Sequence, residues 1–455
     1  MRLRVYPDRF CHRSRAQSIF LALLLVFTVL LQPQRADAYS VLSHEEVVDL
    51  AWKGEIVPLL MARFPGTTPD ELRIAHSYAY GGCVIQDLGY YPFGSPFFSD
   101  LLHYARTGDF VGNLLGDSTS LNEYAFALGA MAHYFSDTVG HPTINRATSI
   151  EYPHLDRRFG KSVTYGDAPT AHLRTEYGFD VVEVAHGRYS QENYRDFVGF
   201  QVAQPLLERA FQDTYGVPLK QVLTHEEMAI NTYRYSVSTL IPDMTRVAVA
   251  EQGDKIKRSK PDYSHNKFVY RFDRTAYEKQ WGRQYQKPGI GARIVAFFLR
   301  IVPKVGPFRA LKLQMPNPAL QAEYLKSMNS VVDNYNAALH QLRHEAHAKT
   351  VVLHLEDRDL DTGAATRPGE YALCDKTYAR LLAMLVKAPQ TPVPAALQSN
   401  VLAYYADQKA ANTMKQKRRT WRRIEREVAL LKQVPVLPAT RQTLTKETAT
   451  LIPAQ

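Results

Sequence analysis

Cysteine is scarce in this sequence, with only three among 455 residues. We expect Cys11 to be removed with an N-terminal signal segment, which leaves Cys83 and Cys374. Two distant cysteines allow at most one disulfide in an oxidising compartment, and their positions do not establish it. Their scarcity also argues against a structural zinc site, because such sites are normally closed by four protein ligands and often use cysteine.

Long alternating runs of apolar and polar residues, which mark half-buried strands, are also missing. Apolar residues recur instead at spacings of three and four, so we predict an all-α fold. The predicted helices include one that opens at Ser43, one from Thr68 to Gly82, and others over 121–139, 170–185, 192–213, 224–250, 318–347, 373–386 and 403–432.

Capping residues define the ends of two predicted helices that carry candidate ligands. Ser43 and Glu46 form a capping-box pattern, which places His44 in the first helical turn. The helix that begins at Leu121 should end at Val139, because Gly140 and Pro142 follow. A proline disfavours the helical conformation in the residue before it, so we expect His141 just outside this helix.

The N-terminus carries a short apolar run, and no run of membrane length appears elsewhere in the sequence. Five arginines between Arg2 and Arg15 precede the uncharged segment 18–31, which is shorter than the roughly 20 residues of a membrane span. A cleavage pattern, Ala36-Asp37-Ala38, follows. We therefore interpret residues 1–38 as a signal peptide, with an uncleaved anchor as the alternative, and expect an exported protein that begins at Tyr39.

The charge of the chain is moderate. Removal of residues 1–38 takes away six arginines and two aspartates, so the formal charge falls from +10 to +6. This excess is too dilute for a protein that coats nucleic acid, although it favours anionic substrates and membrane surfaces. We divide the mature chain into a helical domain at 39–255, an irregular connection at 256–290 and a C-terminal helical region at 291–455. All candidate ligands lie in the first region.

Histidines and carboxylates recur in an ordered series in the N-terminal part of the chain. His133 and Asp137 are four residues apart on a predicted helix, and so are His172 and Glu176. This spacing brings each pair onto one helical face, and imidazole nitrogen and carboxylate oxygen are donors that Zn²⁺ accepts. A single pair is weak support, because helices also carry such pairs as surface hydrogen bonds.

The surroundings of Asp137 strengthen the metal interpretation. Most residues from Phe126 to Phe135 are apolar. A carboxylate buried among them needs a partner or a metal, since an isolated buried charge costs several kcal/mol even after relaxation. A hydrogen-bonded network of Asp and His without metal is the alternative.

The series resembles the ligands of the zinc-dependent phospholipase C family and of the related fungal single-strand-specific nucleases. The matching residues are Tyr39, His44, Asp87, His103, His133, Asp137, His141, His172 and Glu176. The resemblance covers about residues 39–180 and implies an all-α helical bundle that holds three zinc ions in a cleft, here with additional C-terminal helices. In the nuclease branch, the first two ligands are separated by the same five residues as Tyr39 and His44.

The resemblance also implies how the ligands are shared. One metal would bind Asp87, His103, His133 and Asp137, and a second would bind His141, His172 and Glu176. A third would bind the amino and carbonyl groups of Tyr39 together with His44 and a bridging Asp137. Asp87 would also orient or deprotonate the attacking water, which is the catalytic role we assign to it. The ions would supply a nucleophile at neutral pH and clamp a phosphodiester.

Three features depart from the family pattern. Tyr39 replaces the usual tryptophan, although its ligating groups belong to the backbone. The spacings from His103 to His133 and from Asp137 to His141 are both short, so loops around the cleft are trimmed. His154 is the substitute if His141 is not a ligand, with an exposed loop position as its alternative. A core position is expected for His76.

The substrate is expected to be a phosphodiester, and its class depends on other features. Aromatic residues near Asp87 would stack a nucleobase, line a lipid-headgroup pocket or pack in the core. They are Tyr80, Tyr90, Tyr91, Phe93, Phe97 and Phe98. Basic segments at 293–304 and 415–426 favour peripheral membrane contact, with buried and solvated helices respectively as the alternatives.

We therefore expect phospholipase C-type hydrolysis of phospholipid headgroups and no stable complex with nucleic acid. One alternative is a single-strand nuclease or nucleotidase with the same type of metal site. The other is a helical protein without catalytic activity that zinc stabilises.

Overall fold

The computed structural model describes residues 40–185, 199–242, 244–245, 248, 314–348, 353–406 and 418–437. Several sequence predictions lie outside these residues: the signal peptide at 1–38, the ligand Tyr39, the connection at 256–290 and the basic segment 293–304. Within the described ranges, no helix is long and apolar enough to cross a membrane.

The described residues form fourteen α-helices and one very short pair of strands, so the all-α prediction is confirmed. The helices are α1 Val41–Ala51, α2 Val57–Arg63, α3 Pro69–Gly82, α4 Pro96–Tyr104, α5 Thr107–Asp117, α6 Leu121–Glu151, α7 Pro153–Phe159, α8 Pro169–Ala185, α9 Gln204–Tyr215, α10 Glu226–Tyr235, α11 Pro318–Ala348, α12 Ala372–Leu385, α13 Ala395–Ala406 and α14 Arg418–Leu431. The parallel strands β1 Val393–Pro394 and β2 Val436–Leu437 pair with each other. Single turns of π-helix lie at Trp52–Ile56 and Ser236–Leu240, and 3-10 turns at Ile85–Tyr90 and Leu219–Gln221.

Helix α6 is the central element of the bundle. It is 31 residues long, and most of its residues from Tyr124 onward are buried. Helices α3, α5, α8 and α11 all pack against it. The Tyr335 hydroxyl of α11 donates a hydrogen bond to the carbonyl oxygen of Leu128 at 2.9 Å. The hydrophobic core therefore combines residues from the N-terminal and the C-terminal halves of the described chain.

Helix α3 begins and ends where the sequence predicts. The Thr68 hydroxyl accepts a hydrogen bond from the Glu71 amide, and the Glu71 carboxylate accepts one from the Thr68 amide. The two residues therefore form the reciprocal capping box.

Helix α1 begins earlier than the predicted capping box requires. Its first residue is Val41, and Ser40 occupies the N-cap position. The Ser43 hydroxyl instead donates to Asp180 at 2.7 Å and lies 2.6 Å from the Tyr324 hydroxyl. Tertiary contacts with α8 and α11 have thus replaced the local cap, and the prediction that Ser43 opens the helix is wrong.

Helix α6 continues past the predicted end at Val139, and His141 lies inside it. Pro142 has no amide hydrogen, so the carbonyl of Thr138 loses its intrahelical donor at this point. Packing on both sides nevertheless keeps the helix regular through Glu151. The prediction that His141 lies just outside the helix is therefore wrong, because tertiary packing outweighs the local effect of the proline.

Other boundaries differ by several residues. The predicted helix 192–213 is observed as α9, which begins at Gln204, and residues 199–203 before it are not helical. The predicted helix 224–250 corresponds to α10 followed by a π turn. Helical structure near the predicted 403–432 begins already at Ala395. Cys83 and Cys374 are both buried, and neither forms a disulfide.

The contact between α3 and α6 depends on glycine. A Cβ atom at Gly129 would lie 2.0 Å from the carbonyl oxygen of Ala79, and one at Gly82 would lie 2.0 Å from that of Phe126. Only hydrogen atoms fit at these positions, so the two backbones approach closely. This approach brings the turn after α3, which carries Asp87, next to α6.

We predict that Gly129→Ala lowers the melting temperature by roughly 5 °C or more, because overpacking against a rigid backbone costs typically 1–3 kcal/mol or more. Gly54→Ala is the matched control, since no atom lies within 4 Å of a Cβ there. The control should melt at or slightly above the wild-type temperature, because alanine favours helix. Thermal unfolding followed by circular dichroism measures both. Equal melting temperatures for the two variants would contradict the close approach.

Candidate metal centre

The structure brings together eight of the nine predicted ligands. Helix α1 supplies His44, the 3-10 turn supplies Asp87, and α4 supplies His103. Helix α6 supplies His133, Asp137 and His141, and α8 supplies His172 and Glu176. All eight side chains are buried, with relative exposures of 3% or less. The ninth predicted ligand, Tyr39, directly precedes the first described residue.

Helix α6 presents three of these side chains along a single face. His133, Asp137 and His141 are successively four residues apart, so they lie on consecutive turns of one helical face. The continuation of α6 through Pro142 is what places His141 in this row. A helix that ended at Val139 would not fix His141 relative to Asp137.

The carboxylate of Asp137 lies at the centre of the group. Its Oδ2 atom is 3.0 Å from His133 Nε2 and 3.6 Å from His103 Nε2. Its Oδ1 atom is 3.5 Å from Nε2 of His44 and 3.5 Å from Nε2 of His141. Four imidazoles from three helices therefore surround one buried carboxylate.

The hydrogen bonds of two imidazoles define which nitrogens face this centre. His103 Nδ1 lies 2.8 Å from the carbonyl oxygen of Ser99, and His133 Nδ1 lies 2.9 Å from that of Cys83. A carbonyl only accepts, so both Nδ1 atoms must carry the proton. In the neutral rings the two Nε2 lone pairs then lie 3.5 Å apart, next to carboxylates. A cation would relieve this concentration of electron density, and this is how metal-binding histidines are usually oriented.

Several buried atoms of the group have no hydrogen bond. They include Oδ1 of Asp137 and both ring nitrogens of His141. Each buried polar atom without a partner costs about 1–3 kcal/mol, and such atoms are rare in folded proteins. They are nitrogen and oxygen donors of the kinds that zinc prefers. The residues present therefore fit zinc.

The donors fall into three groups in which all ligand atoms lie within 4.8 Å of one another. The groups are Asp87, His103 and His133; His44, His133 and Asp137; and His141, His172 and Glu176. The third group is the same as one metal site implied by the family resemblance. The first two groups share His133. The resemblance instead implies that the first and third metals share Asp137. The number of ions stays a prediction.

Electrostatics differ between these groups. Although burial lowers the pKa of His103, the adjacent Asp87 and Asp137 outweigh it and raise the pKa to about 9. Burial lowers the pKa of His172 to about 4 and also lowers that of His141, so both rings are neutral at pH 7. Burial raises the pKa of Glu176 well above its usual value. A cation between these groups would favour the neutral imidazoles and the ionised carboxylates that bind metals.

Two further histidines, His76 and His154, lie outside the three groups of donors. The His76 ring stacks on Trp52 at 3.8 Å, and its Nε2 lies 3.0 Å from Asp49. It is a core histidine, as expected. His154 is exposed and lies on the short helix α7, whereas an exposed loop was expected for it.

The aromatic residues near Asp87 are mostly core residues. Five of the six are buried: Tyr80, Tyr90, Tyr91, Phe97 and Phe98. Phe93 is 42% exposed and has a positive φ of 65°. Among the buried residues, Tyr90 lies beside the metal-site residues, with its ring 5.9 Å from that of His103. Tyr165, which the sequence analysis did not single out, lies 6.1 Å from His172.

A further carboxylate reaches the centre from the C-terminal part of the chain. Asp361 is fully buried, and its Oδ1 lies 3.8 Å from His141 Nδ1. It belongs to the segment 353–371, which we call the C-terminal strap. The sequence offered little sign of this contact, because the strap has no helical periodicity and is separated from His141 by more than 200 residues.

Comparison with known proteins agrees with this geometry. Residues 43–224 match the family model described as zinc dependent phospholipase C. No curated protein and no solved structure gave a match. The resemblance inferred from the residues is thus confirmed over a region that contains all eight described candidate ligands. Together with the three groups of donors, it supports a zinc-dependent hydrolase.

We predict that zinc stabilises the protein more strongly as the pH rises from 6.5 to 8. The pKa of His103 is raised to about 9, so without metal its protonated ring stabilises the fold fully below pH 6.5. This stabilisation is lost as the pH rises towards 9. Glu176, also with a raised pKa, loses its contribution as the pH rises. His141 and His172 stay neutral over this window. Zinc competes with protons for its ligands and binds more tightly at higher pH.

Melting temperatures with excess zinc and with a chelator, compared at several pH values, measure this effect. The difference between the two should widen steadily across the window. A difference that is constant or narrows with pH would contradict the assignment of His103 and Glu176 as ligands.

Proposed function

We propose that this protein is a phospholipase C-type phosphodiesterase that releases phospholipid headgroups with zinc at the candidate metal centre. The observation that carries the proposal is the buried carboxylate of Asp137 within reach of four imidazoles, in a region that matches the zinc dependent phospholipase C model. Without a cation, this buried carboxylate lowers the stability of the fold. With a cation, the same donors would form a zinc site.

The residues of the centre would have distinct roles. His103, His133 and Asp87 would hold one ion, while His141, His172 and Glu176 would hold another. When bound, zinc acidifies water and neutralises charge that develops on a phosphoryl group. Asp87 Oδ1 lies 3.3 Å from His103 Nε2, so this carboxylate is close to the centre and would orient the attacking water and accept its proton.

The described surface favours a membrane substrate over a nucleic acid. Helix α14 exposes Arg419, Arg422, Arg423 and Arg426. Near its end, Leu430, Val436 and Leu437 are 46 to 47% exposed. A basic helix with neighbouring exposed apolar side chains suits the surface of an anionic membrane. This supports the membrane role predicted for 415–426. The aromatic residues that would stack nucleobases are, by contrast, mostly occupied in core packing.

The proposal includes export and a free amino group at Tyr39. His44 is buried at the centre, and it lies on the first helical turn after Ser40. Cleavage after Ala38 would therefore create an amino group five residues from His44, a predicted ligand. This supports processing as a step that completes the metal centre.

We predict that Asp137→Ala removes at least one equivalent of zinc and lowers hydrolysis of phosphatidylcholine vesicles at least about 10³-fold, because a metal supplies several kcal/mol of transition-state stabilisation. Metal analysis of the purified protein and assays of headgroup release measure the two effects. Single-stranded DNA is assayed in parallel, and a faster reaction of the wild type with DNA would favour the nuclease alternative.

Asp49→Ala is the matched control for this substitution. Asp49 is also a buried aspartate that pairs with a histidine, but it lies outside the three groups of donors. The control should melt at a lower temperature and keep its zinc and its activity. A wild-type protein without stoichiometric zinc, or an Asp137→Ala variant with full activity, would refute the enzyme proposal.

We also predict that a variant with a methionine before Tyr39 binds one zinc equivalent fewer than the processed protein and loses at least about tenfold in activity, since one metal would lose a ligand. N-terminal sequencing of the exported protein should give Tyr39 as its first residue. Full zinc content and activity in the extended variant would show that the amino group is not a ligand.

A further inference from the structure

The C-terminal strap crosses the helices that carry the metal ligands. The Leu360 amide donates to the carbonyl oxygen of His103 at 3.0 Å. The Tyr134 hydroxyl of α6 donates to the carbonyl oxygen of Glu356 at 2.7 Å. The Asn145 side chain, also on α6, donates to the carbonyl oxygen of Asp361 at 2.7 Å. The strap is therefore bonded to α4 and α6 at several points, although it lies outside the region 43–224 that matches the family.

A glycine allows the closest of these contacts. A Cβ atom at Gly363 would lie 2.1 Å from the carbonyl oxygen of Thr138, and the φ of Gly363 is +70°. This carbonyl is the one that Pro142 leaves without a donor within the helix. The strap thus packs against α6 at the turn between Asp137 and His141, where the helical hydrogen bonding is interrupted.

The side chain of Asp361 is held by two tyrosines. Its Oδ2 accepts a hydrogen bond from the Tyr104 hydroxyl at 3.0 Å and another from the Tyr371 hydroxyl. These bonds orient the carboxylate so that Oδ1 faces His141. Tyr104 directly follows His103 in the sequence, so the orientation of Asp361 is coupled to the helix that carries another ligand.

The imidazole of His141 consequently lies between two carboxylates. Its Nε2 is 3.5 Å from Asp137 Oδ1, and its Nδ1 is 3.8 Å from Asp361 Oδ1. Neither His141 Nδ1 nor Asp361 Oδ1 makes a hydrogen bond, although both are buried. The two buried atoms face each other just beyond hydrogen-bonding distance, so a small rotation of the neutral ring would let Nδ1–H donate to the carboxylate.

We propose that Asp361 is a positioning residue for the metal centre, which holds the His141 ring through Nδ1 and leaves Nε2 to bind the ion. A carboxylate behind a ligating histidine fixes its tautomer and raises its basicity. The C-terminal strap is then part of the metal centre. It supplies a carboxylate from outside the region 43–224 that matches the family. The inference rests on the proposed metal binding, but it does not depend on the identity of the substrate.

The test uses Asp361→Asn in the full-length processed protein. Asparagine keeps the shape of the side chain and its bonds to the tyrosines but removes the charge. We expect the affinity for the weakest-bound zinc, measured by competition with a chromophoric chelator, to fall about 10 to 100-fold. The melting temperature without metal should stay the same or rise, because a buried charge is removed, whereas the melting temperature with limiting zinc should fall.

Two further variants separate positioning from general stability. Tyr371→Phe removes one bond to Asp361 and should weaken zinc binding in the same direction by less than about tenfold. Asp357→Asn is the control within the strap, because Asp357 accepts hydrogen bonds from the amides of Gly108 and Asp109 at the start of α5. It should lower the melting temperature equally with and without zinc and leave zinc affinity unchanged.

Each outcome decides the inference. Unchanged zinc affinity in Asp361→Asn, or equal losses of stability with and without metal, would refute it. A smaller number of atoms bound to zinc in the Asp361→Asn variant, counted by X-ray absorption, would also refute it, since this would make Asp361 a direct ligand. If the wild type itself binds no zinc, the proposed function fails first. If the wild type binds zinc and the variant binds it equally well, only the inference about Asp361 fails.

Discussion

The structure depends on one electrostatic constraint, the burial of the Asp137 carboxylate among the imidazoles of His44, His103, His133 and His141. Ionised carboxylates are expensive to bury, and the neutral rings of His103 and His133, which donate through Nδ1, present only Nε2 lone pairs to it. The long helix α6, the glycine contacts with α3 and the turn that carries Asp87 all serve to hold these groups together. A divalent cation would turn the same arrangement from a cost into a stabilising interaction.

The candidate metal centre also connects parts of the chain that are distant in sequence. Pro142 interrupts the hydrogen bonding of α6 near the candidate ligands Asp137 and His141. Gly363 of the strap packs against the carbonyl of Thr138, which has lost its donor within the helix. Asp361 reaches His141 from this contact, and Ser43 ties α1 to both α8 and α11. The candidate ligands belong to the N-terminal half of the chain, but the contacts that hold them in place come from the whole described bundle.

Much of the site was predictable because its residues follow helical periodicity. His133 with Asp137 and His172 with Glu176 are four residues apart, so helix geometry alone places each pair on one face. The capping box of α3 was predictable because its signals are local in the sequence. His141 and Ser43 were misplaced, because their positions depend on packing. Proline and capping preferences are worth about 1–3 kcal/mol, and tertiary contacts outweighed them here.

The sequence by itself determined the helical class, the order of the candidate ligands and their chemical type, because these depend on residue type and on spacings of three and four. Only the tertiary structure decided how the donors are grouped, since His44, Asp87, His103 and His133 come from four separate elements. It also decided the place of Asp361, which lies more than 200 residues from His141 in the chain. No local pattern encodes such a contact, because it arises only when the strap packs across α4 and α6.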